Sequence, residues 1–335
     1  MSMDPSQSLL RWGIEHAEPG SIKQMAADVE AGRRPDLNTD ILKAMMGTSD
    51  ADRMRECMQV IEGQWVDRDG TSEVKNNSDI TDEDKYRAWD DLEMLIEDLD
   101  NANNLKNMGL WQPIVKHLTD ADDEVVKRAC WVCGTAVQNN PQSQAAFLEH
   151  DPLPTIASLV TSPSASAATR AKAMYALSAS LKHWEPAVKR FNELDGFSTL
   201  NQTLQDPSLP LRSKTAFLLS QLMSQSETPS ALVNSLRSAS TLSTLIDSLH
   251  SSTAVPTGSS GETEAIDPDF RDKGLRFLAN VVERTQGTKD GGLNGEEKKK
   301  IARVVDEVEQ NKEWVPEDVG MAQGEWDAFK QHVKA

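Results

Sequence analysis

Cys130 and Cys133 flank Trp131 and Val132 in a Cys-x-x-Cys run, the spacing at which two thiols cycle through a disulfide when the motif follows a strand and opens a helix. Here the run lies inside a helical pattern instead. Its two positions line up with Met174, Ala216 and Leu275, and with Leu177, Leu219 and Leu278, in later copies of the same segment. Thiols in such columns act as small hydrophobes of a core. The acidic run TDEDK, from Thr81 to Lys85, has the charge to attract a cation but lacks the glycine and closing glutamate of a calcium loop. It reads as a helix cap with favourable charge in the first turn. The six histidines have no companions at metal-ligand spacing, and no Walker loop, nucleophile elbow or Rossmann glycine run is present. The expectation is a protein that is not an enzyme and uses no metal or cofactor.

Binding chemistry is better represented. Arg87, Arg128, Lys172, Lys214 and Lys273 recur at intervals of about forty residues, apart from a longer last step. Three residues after the base, the middle copies carry Trp131, Tyr175 and Phe217; four further on they carry Thr135, Ala179 and Gln221. Steps of three and four keep side chains on one helix face. Stacked helices would turn that face into a stripe of cations and large aromatics, types enriched where proteins bind proteins, and suited to an acidic, partly apolar partner. On sequence alone a second reading stands beside this one: the bases pair with local carboxylates and the aromatics cover the neighbouring repeat.

The elements that would position these residues form a repeat. KYRAWDDLEMLIED, KRACWVCGTAVQNN, RAKAMYALSASLKH, RSKTAFLLSQLMSQ and RDKGLRFLANVVER align on Leu92, Cys133, Leu177, Leu219 and Leu278, spaced 41, 44, 42 and 59 residues apart. The last gap is long because SSTAVPTGSSGETEAIDPD is inserted between Ser251 and Asp269. A shorter apolar segment precedes each later copy: Leu110 to Leu118, Leu153 to Val160, Phe197 to Leu204, and Leu242 to Leu249. SQAAFLEHD and EPAVKRFNELD supply a third, short helix per unit, which favours armadillo over HEAT grammar. Ala, Leu, Glu, Gln, Lys and Met dominate the middle of the chain and lose little freedom in a helix. The predicted fold is all-α, an armadillo-like solenoid with capping helices at both ends. Residues 1–30 read as a flexible leader, 36–80 as N-terminal capping helices and a loop, 81–284 as the repeats with the insertion 251–269, and 285–335 as a linker and C-terminal capping helices.

The net charge of −18 argues against nucleic acid and anionic membrane as partners, since phosphate binding needs clustered Lys and Arg. No stretch approaches a membrane span, the N-terminus lacks a secretory apolar core, and three cysteines fit a reducing compartment, so a cytoplasmic monomer is expected.

LEMLIEDLDNANNLKNMGLW from Leu92, GTAVQNNPQSQAAF from Gly134 and RAKAMYALSASLKH from Arg170 are similar to segments of the fungal Fes-type nucleotide exchange factors for heat-shock protein 70, a group that includes the animal heat-shock protein 70-binding protein. LLRWGIEHAE and PDLNTDILKAMMG resemble the leader and following segment of that family, and the likeness runs over about residues 8–250 before weakening. The resemblance implies capped armadillo repeats whose concave face embraces the nucleotide-binding domain of a cytosolic heat-shock protein 70, so that ADP leaves. It places the grip on Asn101, Ala102, Asn103 and Asn104, on Gln138, Asn139 and Asn140, and on Lys172 and Lys214, beside Arg128, Trp131, Tyr175 and Phe217 of the stripe. It also implies that the leader, through Leu9, Leu10, Trp12 and Ile14, enters the chaperone's substrate-binding domain and helps expel substrate. At Ser180 this chain departs from the Asn usual in the family. An armadillo adaptor for a different acidic protein is the alternative.

Overall fold

The structure, a computed structural model, describes residues 49–64, 80–250, 255–257, 262–264, 267–287, 292–311 and 313–335. The expected leader, with Leu9, Leu10, Trp12 and Ile14, lies outside the described residues, as does most of the segment 36–80. Two units divide the chain at Ile80 and Thr81. In the first, α1 (Asp50–Ile61) starts where the Ser49 hydroxyl accepts from the Asp52 N–H, and buries Met54, Cys57, Met58, Val60 and Ile61.

In the second unit every third helix is long: α2 (Asp82–Ile96), α5 (Asp123–Val137), α8 (Ala167–Leu181), α11 (Leu209–Gln225) and α14 (Pro268–Arg284). Between them run α3 (Leu99–Asn107) and α4 (Trp111–Lys116, continued by a 3-10 turn), α6 (Pro141–Leu148) and α7 (Leu153–Thr161), α9 (Glu185–Glu193) and α10 (Gly196–Leu204), then α12 (Pro229–Ser238) and α13 (Thr241–Ser248). This is the three-helix armadillo unit that the sequence predicts. Two helices, α15 (Gly295–Glu309) and α16 (Gln323–Lys334), close the stack.

Local chemistry explains where these helices begin. Thr81, Asp98, Asp122, Asn140, Ser166, Asp267 and Asn294 each accept a first-turn N–H at an N-cap. At Thr81 the cap is reciprocal, Asp84 accepting from the Thr81 N–H at 3.0 Å, so the TDEDK run is indeed a capping device. Backbone joints repeat along with the sequence. Gly109, Asp151, Asp195 and Ser240 each hold positive φ just ahead of the second helix of a unit, and Asn139 and His183 do so just after a long helix. Inside the insertion, Val255–Thr257 and Glu262–Glu264 pair as a small antiparallel hairpin, where the sequence suggests only low complexity. Its last residues belong to α14: Asp267 caps the helix and Pro268 opens it.

The long helices stack side by side. α5 packs closely on α8 and α11 closely on α14, whereas α8 and α11 touch least of the neighbouring long pairs. Cys130, Cys133, Met174, Leu177, Ala216, Leu219, Leu275 and Leu278 are all buried in this stack. Burial pushes the Cys130 thiol up to about 12 and Cys133 further, so neither supplies a thiolate near neutral pH. Among the described residues, no helix is long and apolar enough to cross a membrane.

Candidate partner-binding face

The base of a repeat reaches back onto the preceding long helix, and what it meets there decides its role. Arg128 Nε, on α5, lies 3.0 Å from Asp90 Oδ1 on α2. Its Nη1 lies 2.5 Å from Glu124 Oε2, and the guanidinium sits 4.5 Å from the Tyr86 ring centroid. Arg128 is thus held by carboxylates of its own chain, and the local-pairing reading applies to it. Lys172 makes the same step from α8 to α5. In that copy the position of Asp90 is taken by Trp131, and Lys172 Nζ stands 3.4 Å from the Trp131 ring centroid. An aromatic face holds an ammonium without cancelling its charge.

Among the described residues neither Lys172 nor Lys214 makes an ion pair, while Arg87 lies 3.7 Å from Glu83 and Lys273 2.5 Å from Asp269. Burial holds the Lys172 ammonium below the ordinary lysine value; Glu93 opposes this, and Lys214 and Lys127 reinforce it. Two neighbouring cations therefore repel each other on one face. A carboxylate brought from outside would satisfy both.

Tyr175 lies between them in the sequence, and its hydroxyl donates to Gln138 Oε1 at 2.9 Å. The ring rests directly on the α5 backbone: a Cβ on Gly134 would come within 2.5 Å of Tyr175 Cδ1 and Cε1. Phe217 is 51% exposed, because the looser seam between α8 and α11 leaves nothing to cover it. The column four residues on is less uniform. Ala179 is buried, and Thr135 donates at 2.6 Å to Glu93, itself a buried carboxylate.

The Asn-rich segments come together through Ser143. Asn140 Nδ2 donates to Ser143 Oγ at 3.0 Å, and Ser143 Oγ donates to Asn103 Oδ1 at 3.3 Å. Asn101 Nδ2 donates to the Leu95 carbonyl at 2.9 Å, and Asn104 accepts weakly from Asn107. Gln138 and Asn139 are exposed at the joint after α5, Asn139 with φ of 52°. Ala102 and Asn140 differ from the expected surface role. Ala102 packs in the interior and Asn140 caps α6 from a buried position, so both support the face from beneath. Ser180 is buried too, donating to the Ala176 carbonyl at 2.7 Å.

Two participants escape a reading by column. Glu93 sits where the repeats otherwise carry Gly134, Ser178, Ser220 and Ala279; its signal is a carboxylate inside the apolar run LEMLI. Gly134 betrays itself as a glycine in mid-helix, where it costs about 1 kcal/mol against alanine unless a close approach requires it.

Residues 6–105 match the family described as nucleotide exchange factor Fes1, and residues 101–244 match the SIL1/FES1/HPBP1 C-terminal domain. The chain is 41% identical over 229 residues to the Hsp70 nucleotide exchange factor FES1 of Mycosarcoma maydis, covering 66% of this chain and 55% of that protein. It is 35% identical over 193 residues to the Hsp70 nucleotide exchange factor FES1 of Coccidioides immitis, covering 56% of this chain and 82% of that one. It therefore spans about half the length of some of the curated relatives it matches, 55% for the proteins of Mycosarcoma maydis and Cryptococcus neoformans. Among solved structures, a designed armadillo repeat protein in complex with the peptide (KR)4 superposes with a TM-score of 0.57 at 17% identity, over 83% of this chain and 99% of that one. That likeness speaks for the armadillo fold alone.

Proposed function

Because the chain belongs to the Fes1/SIL1/HPBP1 family, we propose that it is a nucleotide exchange factor for a cytosolic heat-shock protein 70, acting by binding rather than by making or breaking a bond. The observation that carries the reading in this structure is the pair Lys172 and Lys214, two cations on one face with no carboxylate of their own. Trp131, Tyr175 and Phe217 surround them with apolar surface, and the Asn103–Ser143–Asn140 chain steadies the adjoining joint. A partner lobe bearing carboxylates docks on this face. Fixing that lobe against a rigid stack of helices strains the nucleotide cleft next to it, and ADP departs. The leader, through Leu9, Leu10, Trp12 and Ile14, competes for the chaperone's substrate-binding domain. The factor works as a monomer in the cytoplasm, a placement supported by its three free, buried thiols.

The test is a Lys172→Glu, Lys214→Glu variant assayed for release of labelled ADP from a cytosolic heat-shock protein 70. Reversal puts like charges together in a desolvated contact, at a cost on the order of 2–5 kcal/mol, so exchange should fall at least tenfold. Melting should change little, because a substitution that breaks no native pair costs within about 0.5 kcal/mol. Full exchange activity in a folded double variant would refute this face. Tight binding to a different acidic protein, with no effect on ADP release by the parent, would favour the adaptor alternative.

A further inference from the structure

A second cationic surface lies beyond the residues that the family match covers. Between α11 and α14 runs a cleft of about 570 Å3, with Phe217, Gln221 and Ser224 on one wall and Arg276, Asn280 and Glu283 on the other. Lys273 and Arg284 stand at its ends, and the turn before α16 contributes Val319 and Gly320. The family match stops at residue 244, so the whole α14 wall lies outside it.

The charges in this cleft run against the chain as a whole. The protein carries a net −18, yet the cleft is lined by Lys273, Arg276 and Arg284 against Glu283 alone. Lys273 is paired with Asp269, which leaves the arginines. Arg276 Nη1 donates to the Gly320 carbonyl at 3.0 Å, and Arg284 Nη2 donates to the Ser226 carbonyl at 2.5 Å. Neither forms an ion pair among the described residues. A carbonyl takes one of the five N–H donors of a guanidinium and fixes its direction without neutralising it. Both forks are thus oriented in advance and still carry their charge. Between them, Asn280 is held by its bond to Ser220 Oγ at 2.9 Å, which makes the wall rigid.

We infer that this cleft binds an extended, carboxylate-bearing segment of the same partner that docks on Lys172 and Lys214. Phe217 belongs both to that face and to the cleft wall, so one surface continues into the other. The inference rests on the function proposed above for the identity of the partner. Arg276 and Arg284 are eight residues apart on one helix, or about 12 Å along the axis. In an extended chain that distance spans about four residues, so the fitting segment carries acidic side chains three or four positions apart. A bidentate guanidinium–carboxylate pair at each end would fix its register, with an apolar side chain against Phe217.

The experiment uses the full chain and the heat-shock protein 70 that responds to it. Arg276→Glu, Arg284→Glu should weaken chaperone binding about tenfold or more and flatten its dependence on salt, with helicity and melting close to the parent. As a positive readout, Arg276→Lys, Arg284→Lys keeps the charge and supplies amines for carbodiimide coupling. Mass spectrometry of the coupled complex should find amide links from these lysines to Asp or Glu residues a few positions apart in one partner segment. Parent-like affinity in the folded glutamate variant, or no links from the lysine variant in a saturated complex, would overturn the cleft proposal while leaving the Lys172–Lys214 face intact. If the parent chain neither binds nor accelerates any cytosolic heat-shock protein 70, both proposals fall together.

Discussion

Gly134→Ala places a methyl group where the structure has the ring of Tyr175. The new carbon would lie 2.5 Å from two ring carbons and 3.3 Å from the Ala176 Cα. Ordinary carbon contacts are about 3.5–4 Å, so the ring must retreat by about 1 Å. Overpacking of this kind costs about 1–3 kcal/mol. Losing the hydrogen bond from the Tyr175 hydroxyl to Gln138 adds about 1 kcal/mol, and alanine in mid-helix returns about the same amount. The net expectation is a loss of about 1–3 kcal/mol, seen as a fall of several degrees in Tm with helicity retained. Chaperone affinity should fall as well, because the displaced ring leaves Gln138 and the Lys172 ammonium, 5.9 Å from its centroid. A double-mutant cycle isolates the contact. Adding Tyr175→Ala removes the obstruction, so the two losses should couple by about 0.5–3 kcal/mol. A Gly134→Ala protein that melts higher than the parent and binds the chaperone normally would refute the argument, since only helix propensity would then be at work.

Three further outcomes are expected. Cys130 and Cys133 should resist iodoacetamide at pH 8 until the protein unfolds, because burial holds both thiols protonated; rapid alkylation of the native chain would contradict their place in the core. Asn140→Ala removes the cap of α6 and a buried link to Ser143, and should cost about 1–2 kcal/mol in denaturant unfolding; an unchanged midpoint would show that the cap is replaceable. Deleting residues 1–20 should leave binding to the chaperone's nucleotide-binding domain nearly unchanged but slow release of a tightly held peptide, and equal release rates would remove the role proposed for the leader.

Much of the fold is legible in the sequence because each repeat must bury the same columns. Cys130, Met174, Ala216 and Leu275 differ in type yet share one environment, and their spacing alone reveals the stack. Caps such as Thr81 and Asn294 mark helix starts through local hydrogen bonding, which needs no tertiary knowledge. The binding face is only half legible. Five bases share a column, but whether each is free depends on what the previous helix places opposite it, carboxylate Asp90 for Arg128 and indole Trp131 for Lys172. That pairing runs between residues about forty positions apart and leaves no trace in either segment by itself. Glu93 and Gly134 are hidden for the same reason, each answering to a side chain in another repeat.

The contact between α8 and α11 is the thinnest among the long helices, and Lys172 and Lys214 ride on opposite sides of it. In a stack of elements joined only to their neighbours, strain collects at the softest joint, as extension does in springs set in series. The two stiff pairs, α5 with α8 and α11 with α14, then behave as jaws, and the span between the cations is the gauge of their opening. A partner whose carboxylates are set slightly wider or closer would be met by flexing this single joint, while the packed core of either jaw keeps its shape. The compliance of the grip would thus be written into one helix contact, separate from the residues that do the gripping.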